Sequence, residues 1–320
     1  MGIAGVLRGG IQRKLILSYL ALGIIPMVLM GFISYYNSSS ILVEQTRGQM
    51  NGLARKAIEQ VESQIAVHKD QMEYLFLPWT TILNFMEVGM EIDGGSREQA
   101  LKEIQKIQKK SPAIRRVRLF DAKGAEKFST HAAGAQASSQ SWFQAALNGK
   151  ETSVSDIFRS QETKEPVMLL AKSAATQDGK AYAVLAVDLA SSQVLSALEN
   201  TKMDLKGGYL YIVNKDGWVV SHPDKTKVLE VNVSRDAYGK EILQKKTGMV
   251  EYDSEGKSRL ASFQEYPPMN WIIVSTVERG VLFHSVDKVK TLFLLLGVAF
   301  AGVSLFLAVV MSIQVARPVG

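Results

Sequence analysis

The residues able to do covalent or metal chemistry are few and scattered. There is no cysteine, so neither thiolate nor disulfide chemistry is available. His68, His131, His222 and His284 stand far apart and show none of the spacings of a metal site. The chain has no phosphate-cradling glycine loop, no H-E-x-x-H and no nucleophile elbow, and nothing in the pattern selects a working pair from its 31 acids. What remains is recognition. Trp142 and Phe143 are adjacent in "SWFQAALNGK", Ser141 to Lys150. Such a pair either lines a ligand pocket or plugs a core, and composition alone favours the core.

The elements that must position these residues begin with two apolar runs. Leu15 to Tyr36 and Thr291 to Ala316 carry no charge, and each is long enough to cross a bilayer as a helix. The first is too long for a typical signal peptide core, and no small-residue cleavage site follows it before Asn37. Arg8, Arg13 and Lys14 precede the first run and Arg317 follows the second, so both ends are expected in the cytoplasm and residues 37–290 outside. The net charge of +6 comes largely from those ends: the outer segment holds all 31 acids against 33 of the 37 basic residues. No dense basic stripe is visible, and no nucleic-acid partner is expected. Four residues beyond the second span point to an excerpt of a longer protein.

Within the outer segment, apolar residues recur at three- and four-residue steps from about Ser40 to Met90, which predicts a long helix kinked at Pro78. Ser96 to Gln99 reads as a capping box opening a second helix with Leu101, Ile104 and Ile107 on one face. Then comes a repeat. "VRLFDAKGAEKFS" (Val117 to Ser129) and "LYIVNKDGWVVSHPD" (Leu210 to Asp224) each read as a strand, a turn closed by Gly and a second strand. Further strand-like runs follow each hairpin, and a short amphipathic helix with Val194, Leu195 and Leu198 separates the two units. The turn Asn214 to Gly217 reads as solvated, and Trp218 and Trp271 as packing aromatics. The fold class is α+β, with two tandem α/β modules on one long N-terminal helix.

In this order of elements the chain resembles the double Cache (dCache) sensor domain, the tandem PAS-like extracytoplasmic module of bacterial chemoreceptors and sensor kinases. Arg317-Pro318 is similar to the opening of a HAMP linker. The resemblance implies a small ligand bound in the membrane-distal module. Amino-acid-binding members carry an Arg two residues before a Trp-Tyr pair, then Tyr-x-Asp, then an Asp ending a later strand. Here Gln140 stands at the Arg position, Trp142-Phe143 at the aromatic pair, Phe158-Arg159-Ser160 at the Tyr-x-Asp and Asp188 at the last acid. Ala135 occupies a position where the family often has Tyr. A guanidinium is the natural bidentate partner of a carboxylate, and Gln140 offers only neutral donors. The resemblance with these departures implies a more apolar pocket whose ligand is not an ordinary L-amino acid. Arg159 either points elsewhere or supplies the missing charge. Asp188 has a second reading, as a cap for the following helix, a role Ser191 or Ser192 could fill instead.

The expected layout is a cytoplasmic N-terminus (1–14), a first span (15–36), a stalk helix (37–91), a distal module (92–200), a proximal module (201–287), a second span (291–316) and the start of a linker (317–320). The expected function is the sensor part of a methyl-accepting chemotaxis protein in the inner membrane. The alternatives are the sensor part of a histidine kinase or diguanylate cyclase, or an envelope protein-interaction domain with no small ligand. No catalytic residue, metal or cofactor is expected. The expected partners are a small molecule, the membrane, a second copy of the chain and cytoplasmic signalling proteins reached through the missing C-terminal part.

Overall fold

The computed structural model describes residues 10–131, 134–149, 151–199 and 207–315. Arg8, the junction expected near residue 200 and Arg317 to Gly320 lie outside the described residues. The chain divides into two compact units, Met50–Val277 on one hand and Met1–Gln49 with Glu278–Gly320 on the other.

The second of these holds the first part of helix α1 (Gly10–Phe76), which carries the first apolar run, and helix α8 (Arg279–Val315), which carries the second as far as Val315. Leu22, Met30 and Phe32 on α1, and Leu295, Val298 and Phe306 on α8, are widely exposed. Among the described residues one helix is long and apolar enough to cross a membrane, and a shorter apolar stretch, Thr291–Leu307, lies in α8.

The unit Met50–Val277 is built on two antiparallel sheets. After α1 the chain makes a 3-10 turn at Leu77–Trp79 and resumes as α2 (Thr80–Glu87), so the helix breaks at Pro78, where a backbone donor is missing. Helix α3 (Gly94–Lys110) is capped by Asp93, whose carboxylate accepts Ser96 N at 2.9 Å. This corrects the capping-box reading of Ser96: the acid three residues earlier sits in extended conformation and meets the first free N–H groups with a full negative charge.

The first sheet runs β2-β1-β6-β5-β3, with β4 also on β5. Its strands are β1 (Ile114–Asp121), β2 (Glu126–Ser129), β3 (Ser153–Val154), β4 (Phe158–Arg159), β5 (Pro166–Ala175) and β6 (Ala181–Ala190). The second sheet runs β8-β7-β11-β10-β9, from β7 (Tyr209–Val213), β8 (Val219–Ser221), β9 (Gly248–Ser254), β10 (Lys257–Tyr266) and β11 (Trp271–Glu278). In both sheets the opening hairpin lies at one edge and the last strand pairs beside the first. The hairpin glycines explain the shared pattern. Gly124 (φ 83°) and Gly217 (φ 85°) adopt the left-handed conformation, and a Cβ at either would come within 3 Å of the chain that returns over the turn.

Helix α4 (Ser141–Asn148) falls between β2 and β3 of the first sheet, α5 (Ser191–Val194) and α6 (Ser196–Glu199) lie between the two sheets in sequence, and α7 (Ala237–Lys245) covers the second sheet. One large core joins α1 to α3 with one face of each sheet, including Val61, Trp79, Ile104, Leu119, Leu185 and Ile273. The opposite face of each sheet has its own smaller core.

Candidate functional site

Successive side chains of a strand point to opposite faces, so the pairing of β1 with β6 decides what faces what. Val117 and Leu119 of β1, with Ala183, Leu185 and Val187 of β6, join the helix-side core. Phe120, Val184 and Ala186 belong to the core on the other face. Arg118 and Arg116 share that second face with Phe120 by the period of two, as Asp188 does with Ala186. In register, Arg118 lies opposite Ala186 and Arg116 opposite Asp188. Arg118 reaches along the diagonal and donates from Nη2 to Asp188 Oδ1 at 2.6 Å, an ion pair almost closed to solvent on both sides.

Helix α4 covers this face. Phe143 and Ala146 are fully buried against Phe120, Leu169 and Ala186, while Trp142 is half-buried at the edge of the same cluster. Trp142 meets Phe120 edge-on at 5.6 Å between ring centroids. The Arg118 guanidinium lies 5.5 Å from the Phe120 centroid and 5.7 Å from that of Trp142, within cation–π range of both.

Two loops close the rim through Arg116. Its Nη2 pairs with Glu126 at 3.1 Å, its Nη1 with Glu162 at 2.9 Å, and its Nε donates to Ser129 Oγ at 3.0 Å. Glu126, its side chain wholly enclosed, also accepts Gly134 N and Ala135 N at 2.9 and 2.8 Å. One guanidinium thereby braces the loop around Gly134 on one side and the loop around Glu162 on the other. Between them is a cavity of about 430 Å³, a size suited to a small molecule.

Six of the seven residues singled out in the sequence, Gln140, Trp142, Phe158, Arg159, Ser160 and Asp188, lie around this cavity. Phe143 does not. One step along a helix turns a side chain by about 100°, so only one of the adjacent aromatics can face the cavity, and Phe143 packs inward at 0% exposure. Gln140 is exposed at the start of α4 and makes no capping bond with its side chain. Arg159 lines the cavity, yet its guanidinium is committed to Lys164 O at 2.8 Å and Glu230 at 2.6 Å. Ser160 is buried and accepts Thr163 N. Asp188 caps no helix: α5 begins after Ala190, and Ser191 Oγ donates to Pro166 O. Burial pushes the Asp188 carboxyl above the usual range, and the Arg118 guanidinium works against that rise.

Sequence reasoning missed Arg118 and Arg116. The available signal was the alternation in "IRRVRLFD", which sets both arginines on the face opposite Val117 and Leu119. The reading of Asn214 as part of a solvated turn is also corrected. Asn214 is buried, and its Nδ2 donates to Asp156 Oδ2 at 2.7 Å.

Elsewhere, an apolar groove of about 570 Å³ between α1 and α8 is lined by Met27, Phe32, Phe293 and neighbours, and carries no charged residue to orient a polar ligand. Among the described residues no cluster of three or more His, Asp or Glu side chains could hold a metal ion.

Comparison with known proteins places this architecture. The chain is 21% identical over 291 residues to the methyl-accepting chemotaxis protein McpA of Bacillus subtilis, covering 89% of this chain and 41% of that protein. It is 27% identical over 154 residues to the methyl-accepting chemotaxis protein PctB of Pseudomonas aeruginosa, covering 47% of this chain and 24% of that one. The chain thus spans well under half the length of these relatives. Among solved structures, the ligand-binding domain of the Campylobacter jejuni chemoreceptor Tlp3 in complex with L-norvaline superposes with a TM-score of 0.55. The match covers 75% of this chain and 94% of that one at 15% identity, a likeness of fold. The Cache domain profile dCache_1 matches residues 38–286, and the chain belongs to that family.

Proposed function

We propose that this chain is the sensor region of a two-pass inner-membrane receptor, of the methyl-accepting chemotaxis class, and that its ligand is a small molecule held in the cavity between β1, β6 and α4. The reading takes residues 37–290 as extracytoplasmic, the first sheet as the membrane-distal module and the second as the proximal one. It includes a homodimeric assembly and an output domain beyond Gly320, and assigns no catalysis to the sensor region itself. The observation that carries it is the buried Arg118–Asp188 pair set against Trp142 at a partly open cavity. A charged pair in such a place is costly to keep dry unless both charges are satisfied, and a polar ligand gains most where fixed charges are already desolvated. The relatives being chemoreceptors, and Tlp3 holding L-norvaline, support the same reading.

The exclusion of ordinary L-amino acids rested on the neutral Gln140 and does not stand on that ground, since Arg118 brings a guanidinium to the cavity from β1. A thermal-shift screen of residues 38–286 against a broad metabolite panel tests the proposal. Stabilisation by a small compound, abolished in both Trp142→Ala and Asp188→Ala, is the expected result. A chain that responds to no small compound would instead favour an envelope partner protein as the stimulus.

A further inference from the structure

The chain around the first sheet meets that around the second directly through Arg159 on Glu230 and through Asp156 on Asn214 and Trp271. Elsewhere both contribute walls to a second cavity, of about 350 Å³, which is large enough for a small molecule. Arg115, Glu165 and Ser192 line it from the first side, and Val220, Lys225 and Val228 from the second. Its buried lining is apolar at Val220 and Val228, and the hydroxyl of buried Ser191 is spent on Pro166 O. The charged lining is open to water to varying degrees. Charge sets this cavity apart from the one at Trp142, where Arg116, Arg118 and Arg159 are matched by Glu126, Glu162 and Asp188. Here Arg115 and Lys225 meet a single acid, Glu165. Arg115 gives Nε to Glu165 at 3.1 Å and Nη1 to Pro112 O at 3.4 Å, and its Nη2 makes no hydrogen bond among the described residues. The Arg115–Glu165 pair is solvent-accessible on both sides, so it is weak enough to exchange for a ligand. Partial burial draws the Lys225 ammonium below its usual pKa, a cost that a nearby anion offsets.

We propose that this junction cavity is a second binding site, taking a small organic anion whose charged group lies between Arg115 and Lys225 and whose short apolar part covers Val220 and Val228. The inference is independent of what the cavity at Trp142 holds. The two cations come from different sheets: Arg115 from β1, and Lys225 from the 3-10 turn Lys225–Lys227 that follows β8. An anion held by both therefore favours the arrangement of the two sheets in which both cations reach it. A neutral molecule of the same shape keeps the apolar contact and gains nothing from the excess positive charge. A cation is repelled by it.

Fluorine NMR of the full chain in lipid nanodiscs, with empty nanodiscs as the baseline, reads the binding of three probes. These are 4,4,4-trifluorobutanoate, 3,3,3-trifluoropropane-1-sulfonate and the neutral 4,4,4-trifluorobutanamide. Both anions should bind, at least about 10-fold more tightly than the amide. Arg115→Gln and Lys225→Gln should each weaken anion binding about 3- to 5-fold, since both cations stand partly in water. Glu165→Gln removes the one acid and should strengthen anion binding by about 3-fold, a change that loss of the fold cannot imitate. Ser192→Trp adds bulk at an exposed wall position without altering charge, and should block both anions in a chain whose fold is checked by circular dichroism. Anion binding that is lost in Trp142→Ala and kept in Arg115→Gln and Lys225→Gln belongs to the other cavity and overturns the proposal. Equal affinity for the amide and the anions overturns the ligand class. Failure of both anions to bind the wild type overturns the site for anions of this size, and leaves the reading of the cavity at Trp142 untouched.

Discussion

Asp156 gives the sharpest test of how the two sheets of Met50–Val277 are joined. It lies between β3 and β4, and its carboxylate collects three donors. Oδ1 accepts Trp271 Nε1 and Ile157 N, each at 2.8 Å, and Oδ2 accepts Asn214 Nδ2 at 2.7 Å. Trp271 opens β11 at 0% exposure and Asn214 follows β7 at 5%, so neither donor has water as a substitute. Asp156→Ala strands both. Each buried donor left without an acceptor costs about 1–3 kcal/mol, so the loss should be about 2–4 kcal/mol once the shared carboxylate is counted only once.

Asp156→Asn separates charge from geometry. Its amide oxygen can still serve Trp271, but its NH₂ then faces the NH₂ of Asn214. Asn214 cannot flip to repair this, because its Oδ1 already accepts Asp216 N and Trp218 N at 3.1 and 2.9 Å. The expected cost is about 1–2 kcal/mol. Trp271→Phe removes the indole donor together with the need for an acceptor, and the carboxylate keeps its other two partners, so its loss of hydrogen bonding should be the smallest of the three. Urea unfolding of residues 38–286, followed by tryptophan fluorescence and by far-UV circular dichroism, reads all three. A cost for Asp156→Ala below about 0.5 kcal/mol, well under the expected range, would refute the bridge.

The adjacent aromatics of α4 should part company. Phe143→Ala should destabilise the domain by about 3–5 kcal/mol, as the loss of a fully buried ring does, whereas Trp142→Ala should lose ligand response with a smaller drop in melting temperature in the same thermal-shift assay. His222, just after β8, should make stability fall on acidification. Burial beside Tyr209 and Tyr211 pushes its pKa down to about 4, so the unfolded chain binds a proton near pH 6.5 that the folded chain refuses. Its contribution is whole above about pH 6.5 and is lost toward pH 4 at up to about 1.4 kcal/mol per pH unit. Unfolding curves of the wild type and His222→Asn across that window should converge as pH falls; parallel curves would contradict this.

Much of the fold was legible because its signals are local. The break at Pro78 follows from one missing N–H, and the two hairpins follow from glycines whose left-handed conformation few other residues tolerate. The inward turn of Phe143 was legible too, and was missed. Phe143, Ala146 and Leu147 recur at helical spacing, and that stripe, not the adjacency of two rings, sets the buried face of α4. Asp93 escaped notice for a similar reason, since a serine with a glutamine three residues on makes a more familiar cap than an acid standing three residues earlier.

The charge of the cavity was not local at all. Arg118 and Asp188 are 70 residues apart, and only the register of β1 on β6 sets them on one face and one diagonal. Read alone, an arginine alternating with valine and leucine in a strand looks like a solvent face, because most strands with that pattern have one. Helix α4 turns that face into an interior by lying across it. A comparison of motifs position by position asks whether an arginine precedes the tryptophan by two residues, and at Gln140 the answer is negative. A ligand carboxylate requires something different: a guanidinium within reach in space, from whichever element can supply it. Since β1 delivers one to the same cavity that Trp142 walls, the neutral Gln140 changes the direction from which the charge arrives and does not remove the charge itself.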